Sequence, residues 1–294
     1  MVLFRVISRI PFKILYLFSD VLFFFIYYIF GYRKQVVLSN LAAAFPNKSE
    51  QEREKIAREF FQNFCDFIVE TVKTLTITQE EIQRRMKLEN SEILHRLVNE
   101  EKKTVFTMLG HQMNWEWVSL SIASDGIPAD VIYKPLSNDF FEKFMLAIRS
   151  RFGIKPVSMY NILRDMVSRR KEPRVIGTLA DQAPHHPDSA YWSTFFHQET
   201  DFFNGTEKLA RKFNTPIVFG KVTKIRRGYY SFHLELVAEP SYQDISSGAL
   251  TEVYIRWLEN TLIEQPALWL WSHKRWKHKR TTHPSEDEMV LPKH

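Results

Sequence analysis

The chain has 294 residues, 45% of them apolar and 14% aromatic, with only 9 glycines. That excludes a disordered or low-complexity polymer and leaves room for one large domain with an appendage. A formal charge of +6 admits nucleic acid, an anionic membrane surface, or an acidic protein or substrate as partner, while Cys65, the only cysteine, excludes an intrachain disulfide and a cysteine-based zinc site.

The segment Ile14 to Tyr32, ILYLFSDVLFFFIYYIFGY, is interrupted only by Ser19, Asp20 and Gly31. As a helix its 19 residues reach about 28 Å, close to the hydrocarbon thickness of a bilayer. Arg33 and Lys34 separate it from Ala42-Ala43-Ala44, which argues against a cleaved signal peptide, and a buried core helix is the other alternative to an anchor. Basic residues on both sides leave its orientation open, and Asp20 keeps a helix lying in one leaflet in view. The expected division is a membrane anchor over residues 1–34 and the domain proper over 35–294.

Ser49 is expected to start a helix whose apolar residues Ile56, Phe60, Phe61, Phe64, Phe67, Ile68 and Val72 recur at spacings of three and four, a core-facing stripe. Cys65 lies inside it and reads as a small buried hydrophobe. A charged helical stretch follows through Arg96. Short β-branched or apolar runs then appear at Thr104 to Leu109, Val131 to Tyr133, Ile154 to Val157 and Val175 to Leu179, separated by helical spacings at Phe140 to Arg149 and Asn161 to Arg170. Alternation of this kind predicts an α/β fold with a largely parallel sheet flanked by helices. Ile217 to Ile225 and Tyr229 to Val237 flank Arg226-Arg227-Gly228 as an antiparallel hairpin, so the sheet is expected to be mixed. A helix from Ala249 to Ile263 and a basic tail follow.

The segment Gly110-His111-Gln112-Met113-Asn114-Trp115-Glu116 comes directly after the run Thr104 to Leu109. Open α/β sheets place their sites at the carboxyl ends of strands. His111 and Glu116 would not meet on one continuous helix, but they can if His111 lies in the loop and Asn114 caps a helix with Glu116 in its first turn. The carboxylate would then accept a hydrogen bond from one imidazole nitrogen and leave the other basic, an oriented general base.

This box, with its position after a strand, resembles the catalytic box of the lysophospholipid acyltransferase superfamily, and more closely that of the lipid A late acyltransferases. Further blocks match in order: Arg33, Asn40-Leu41 and Ala44-Phe45-Pro46; Tyr133-Lys134-Pro135-Leu136 with Asn138; Arg149 and Arg151 before Gly153; Ala180-Asp181-Gln182; Phe195-Phe196; Gly205 with Leu209-Ala210; and Pro266 to Lys277. Met113 departs from the pattern, standing where the family usually has glycine. The resemblance implies transfer of a fatty acyl chain from a thioester, on acyl carrier protein or coenzyme A, to a hydroxyl of a lipid acceptor, with a lipid A precursor as the leading acceptor. Glycerophospholipids, amino-acid lipids or pigment lipids are alternative acceptors, and a non-catalytic lipid-binding homologue is the alternative of a different class.

His111 is expected to remove the proton of the attacking hydroxyl, with Glu116 orienting it. The resemblance points to Arg149, with Arg151 second, as the cation facing the developing oxyanion. Asp181 is the third candidate, orienting Arg149 or binding substrate. Asn114, Tyr133, Lys134, Arg151 and Gln182 are the implied substrate-binding residues. With no G-x-S-x-G elbow, direct attack is expected rather than an acyl-enzyme. His185, His186 and Asp188, and His273 with His278, match no zinc spacing, and no metal or cofactor is expected. The basic run His273 to Arg280 carries one interleaved aromatic, so it is assigned to a carrier protein or anionic headgroups and not to nucleic acid. The implied location is the inner membrane, with the catalytic domain on its cytoplasmic face.

Overall fold

The computed structural model describes residues 1–280; residues 281–294, the end of the expected second domain, lie outside it. Four helices come first: α1 (Val2–Ser8), α2 (Phe12–Phe24, continued by a π-helical turn Phe25–Phe30), α3 (Lys34–Ala44) and α4 (Glu50–Lys73). Next come α5 (Gln79–Arg85), β1 (Met86–Glu89) and α6 (Glu92–Leu94). The alternating segment is β2 (Val105–Leu109), α7 (Glu116–Ser124), β3 (Ala129–Tyr133), α8 (Asp139–Arg149), β4 (Lys155–Ser158), α9 (Ile162–Ser168) and β5 (Val175–Leu179). The chain then makes a small hairpin of β6 (Tyr191–Phe195) and β7 (Gln198–Phe202), followed by α10 (Gly205–Phe213), β8 (Ile217–Arg226), β9 (Tyr229–Ala238) and α11 (Ala249–Glu264).

Seven strands form one sheet in the order β1-β9-β8-β2-β5-β3-β4, parallel at every contact except β8 with β9. The fold is therefore the expected α/β arrangement with a mixed, largely parallel sheet. Central β2 is buried along its whole length, as a strand covered by helices on both faces must be. The sequence reading missed β1, a four-residue strand inside the charged stretch that pairs with β9, and the polar hairpin β6–β7. Both are too short or too polar to leave a periodic signal.

Helix α4 begins with a capping box, the Ser49 side chain accepting from Glu52 N–H while the Glu52 carboxylate accepts from Ser49 N–H. Its first half buries Ile56, Phe60 and Phe61 as expected. Its second half departs from the expected stripe: Cys65, Asp66, Val69 and Glu70 are buried, and Phe64, Phe67, Ile68 and Val72 are only half-buried. The reason is polar. Two carboxylates face inward because α2 and the β8–β9 turn bring donors to them. Cys65 is the expected inert hydrophobe, its thiol pushed up to about 12, chiefly by burial.

Phe12–Phe30 is long and apolar enough to cross a bilayer by length and composition. Its inner face is nonetheless seated on α4. Tyr16 Oη donates to Glu70 at 2.7 Å, and Ser19 Oγ to Asp66 at 2.7 Å. Arg227, in the β8–β9 turn, places Nη2 at 2.6 Å from both Asp20 and Asp66. Ser19 and Asp20, the interruptions in the apolar run, are thus its docking points. Leu17, Phe18, Val21, Phe25 and Ile29 remain exposed on the other face.

Asp66 is buried, so removing its guanidinium partner leaves an under-compensated carboxylate. Arg227→Ala should cost about 2–3 kcal/mol, at the low end for a buried pair because Arg227 is a third exposed. Urea denaturation at neutral pH checks this, and a change below a few tenths of a kcal/mol would show that Ser19 and Lys224 suffice.

Candidate active site

β2 and β5 are parallel neighbours with Leu109 opposite Leu179. His111 and Asp181 each stand two positions beyond that pair, so the register alone brings them together at the carboxyl edge of the sheet. Gly110 makes the approach possible: a Cβ there would lie 2.7 Å from Leu258 Cδ1 and 3.4 Å from the Asp181 carboxylate. Asp181 Oδ1 lies 2.6 Å from His111 Nδ1, and Oδ2 accepts from His111 N–H at 2.8 Å and from Trp269 Nε1 at 2.6 Å. An ionised carboxylate can only accept, so Nδ1 carries the proton and Nε2 is the free basic nitrogen. Burial by itself would raise the Asp181 carboxyl. Attraction to the His111 imidazole comes first, and with its ring N–H and the two other N–H donors it outweighs burial and holds Asp181 at about 2.

This corrects two expectations. Glu116 does not hydrogen-bond His111, and Asp181 orients His111, not Arg149. Glu116 is the first residue of α7, as expected, but its carboxylate turns to Arg149, at the end of α8: Nε lies 2.9 Å from Oε2 and Nη2 2.5 Å from Oε1. Trp115 Nε1 adds a third bond at 3.1 Å. Burial opposes ionisation of Glu116, but the Arg149 charge and its bidentate contact prevail, and the carboxyl is lowered. Arg149 is correspondingly raised, against its own burial, by Glu116. His111 and Glu116 are linked through Trp115, whose ring packs edge-on against the imidazole at 5.1 Å and donates to the carboxylate.

The remaining candidates divide. Tyr133, at the end of β3, stays beside the site, its phenol raised by burial and by the Glu142 carboxylate, with Arg149 acting in the opposite sense. Gln182 follows Asp181, half-buried. Lys134 is exposed, its Nζ 2.5 Å from His185 Nε2. Arg151 does not join Arg149; it donates to the Thr74 carbonyl at the end of α4 and stacks on Phe152. Asn114 is a second correction to the box. Trp115, not Asn114, occupies the N-cap of α7, and the wholly buried Asn114 amide donates to Glu70 at 3.0 Å. In the basic run, Lys274, Lys277 and Lys279 are exposed, but Arg275 is buried against Asp201 and the Phe202 ring and cannot dock a carrier.

Trp269 is the residue that sequence reasoning missed at the site. It sits in the aromatic run after α11, which bonds back to the catalytic loop: Met113 N–H donates to Leu268 O, and Gln112 bridges Trp269. That run is itself pinned by α3, with Arg33 donating to Ser272 O and Asn40 to the carbonyls of Trp271 and His273. The blocks at Arg33 and Asn40, at His111 to Met113, at Asp181 and at Leu268 to His273 are therefore one contact network. His273 completes it, accepting from Ala183 N–H, its imidazole pushed down to about 4 by burial first and by Arg275 second, hence neutral.

Residues 1–278 match the family described as bacterial lipid A biosynthesis acyltransferase. The chain belongs to this family. It is accordingly an acyltransferase. Its relatives include the lipid A biosynthesis palmitoleoyltransferase of Escherichia coli K12, 24% identical over 250 residues, which cover 83% of this chain and 79% of the relative. The lipid A biosynthesis myristoyltransferase of the same organism is 24% identical over 159 residues, 54% of this chain and 49% of the relative. Among solved structures, the 1-acyl-sn-glycerophosphate acyltransferase PlsC of Thermotoga maritima aligns with a TM-score of 0.41 at 13% identity, covering 88% of this chain and 99% of that one.

Asp181→Asn keeps the shape but lets a side-chain N–H face Nδ1, which moves the ring proton to Nε2. Turnover should fall roughly 10²- to 10⁴-fold. The Asp181 carboxyl is depressed from 3.8 to about 2. Its contribution to stability is therefore fully present above its unfolded value and lost as pH falls through about 2. Acid titration of stability should show that this loss is missing in the variant. Unaltered turnover would remove Asp181 from the chemistry.

Proposed function

We propose that this protein transfers a fatty acyl chain from a carrier-protein or coenzyme A thioester to a hydroxyl of a lipid A precursor at the inner membrane, by direct attack. The observation that carries this reading is the His111–Asp181 pair, buried on the carboxylate side and with Nε2 left free, on a chain of the lipid A acyltransferase family. Nε2 takes the acceptor hydroxyl's proton as its oxygen attacks the thioester carbonyl. The C–S bond then breaks, an ester forms, and the thiolate leaves with the proton that His111 returns. Negative charge on the carbonyl oxygen during this step faces Arg149. Glu116 occupies the Nε and Nη2 edge of that guanidinium, which leaves Nη1 as the donor toward substrate. Glu116 is thereby assigned to holding Arg149, and Tyr133 and Gln182 to lining the acceptor side.

Purified protein should form a lipid ester from labelled acyl thioester only when a lipid A precursor is present. His111→Ala should lose roughly 10²- to 10⁴-fold in turnover. Hydrolysis without transfer, or covalent label on the protein, would overturn direct acyl transfer, and near-normal turnover by His111→Ala would overturn the site.

Membrane attachment belongs to the same proposal, because α2 exposes an apolar face, and α8 exposes Phe140 and Phe141 beside Phe4 of α1, on a lipid-modifying enzyme. Introducing aspartate at Leu17, Phe18 and Val21 together should shift the protein from vesicle pellet to supernatant after a high-salt wash. Continued sedimentation would place the attachment elsewhere.

A further inference from the structure

Among the described residues, Glu70 is the one carboxylate that hydrogen-bonds both α2 and the loop carrying His111. It is wholly buried on α4. Oε1 accepts from Tyr16 of α2 at 2.7 Å, and Oε2 accepts from Asn114 Nδ2 at 3.0 Å. Tyr230 of β9 donates across both oxygens, at 3.2 and 3.0 Å. Asn114 lies between His111 and Glu116, and its other amide atom, Oδ1, is buried without a partner among the described residues. The bond to Glu70 is therefore the Asn114 side chain's tether.

The arrangement is costly for mere packing. Its three hydrogen-bond donors are all neutral, and burial leads the causes that push the Glu70 carboxyl up to about 7, with Asp66 adding to it and the three donors opposing. An apolar side chain would fill the space without that penalty. What an apolar side chain cannot do is accept from Asn114 and from α2 at the same time.

We propose that Glu70 is a positioning residue for acyl transfer, fixing the loop that carries His111 and Glu116 and making that fixing depend on α2 being seated on α4. The proposal rests on the site assignment above and goes beyond it. Lifting α2 removes the Tyr16 donor, frees Oε1 to rebond, and loosens the Asn114 tether. A helix facing lipid thus acts on the geometry of the base and of the Glu116–Arg149 pair without touching either.

The test is a mutant cycle on kcat and KM in the full-length enzyme. Glu70→Leu, which removes both acceptors, should lower kcat roughly 10- to 100-fold, the scale of loss for a misplaced catalytic group, with KM for the thioester donor within about twofold of wild type. Tyr16→Phe deletes one hydroxyl and should fold whether or not Glu70→Leu does; it should lower kcat several-fold, again with KM held. Tyr16→Phe and Asn114→Ser combined should lower kcat by less than the product of the single effects, because both act through one carboxylate. In the Glu70→Leu background Tyr16→Phe should have no further effect. The proposal is overturned if Tyr16→Phe leaves kcat unchanged, if the two substitutions multiply independently, or if loss of kcat only follows loss of folded protein. An inactive wild type, or an active His111→Ala, would instead strike the site assignment itself.

Discussion

The parallel register of β2 with β5 is the constraint on which the site depends. Adjacent parallel strands present their carboxyl ends at one edge, and residues equally far beyond a register pair converge there. His111 and Asp181 hold those two positions after Leu109 and Leu179. Nothing nearer in sequence provides His111 with an acceptor of comparable geometry. A slip of one residue would turn every β5 side chain to the opposite face and part the dyad.

Around this edge the protein separates its charges into two carboxylate systems. Asp181 is held ionised by N–H donors and the imidazole, whereas Glu116 is held ionised by a guanidinium. Each burial penalty is offset by a different partner: one carboxylate binds an imidazole, the other a guanidinium. Trp115 links the two, packing against His111 and donating to Glu116.

The outer segments are not accessory. α3 holds the Trp269 to His273 run through Arg33 and Asn40, and that run returns Trp269 to Asp181. α2 reaches α4 directly through Tyr16 and Ser19, and Asp20 reaches Asp66 of α4 by way of Arg227. Residues 1–34 thus contribute hydrogen bonds to the buried side of the chain as well as an apolar surface.

By itself, the sequence determined the alternation of strands and helices, the hairpin about Arg226 to Gly228, and the loop that carries His111 beyond β2, because periodicity and glycine placement are local properties that the backbone must obey. Ordered blocks also determined the family. Which carboxylate reaches His111 was a different kind of question. His111 and Glu116 are five positions apart and Asp181 seventy, so separation along the chain favours the wrong partner; strand order, which no local pattern encodes, decides for the right one. The same holds for Asp66, Glu70 and Asn114. Donors delivered by α2, β9 and the β8–β9 turn make buried positions tolerable for Asp66 and Glu70, and Glu70 in turn is the acceptor for Asn114, which the sequence reads as a helix cap. Buried polar groups are settled by partners, and partners are settled by tertiary structure.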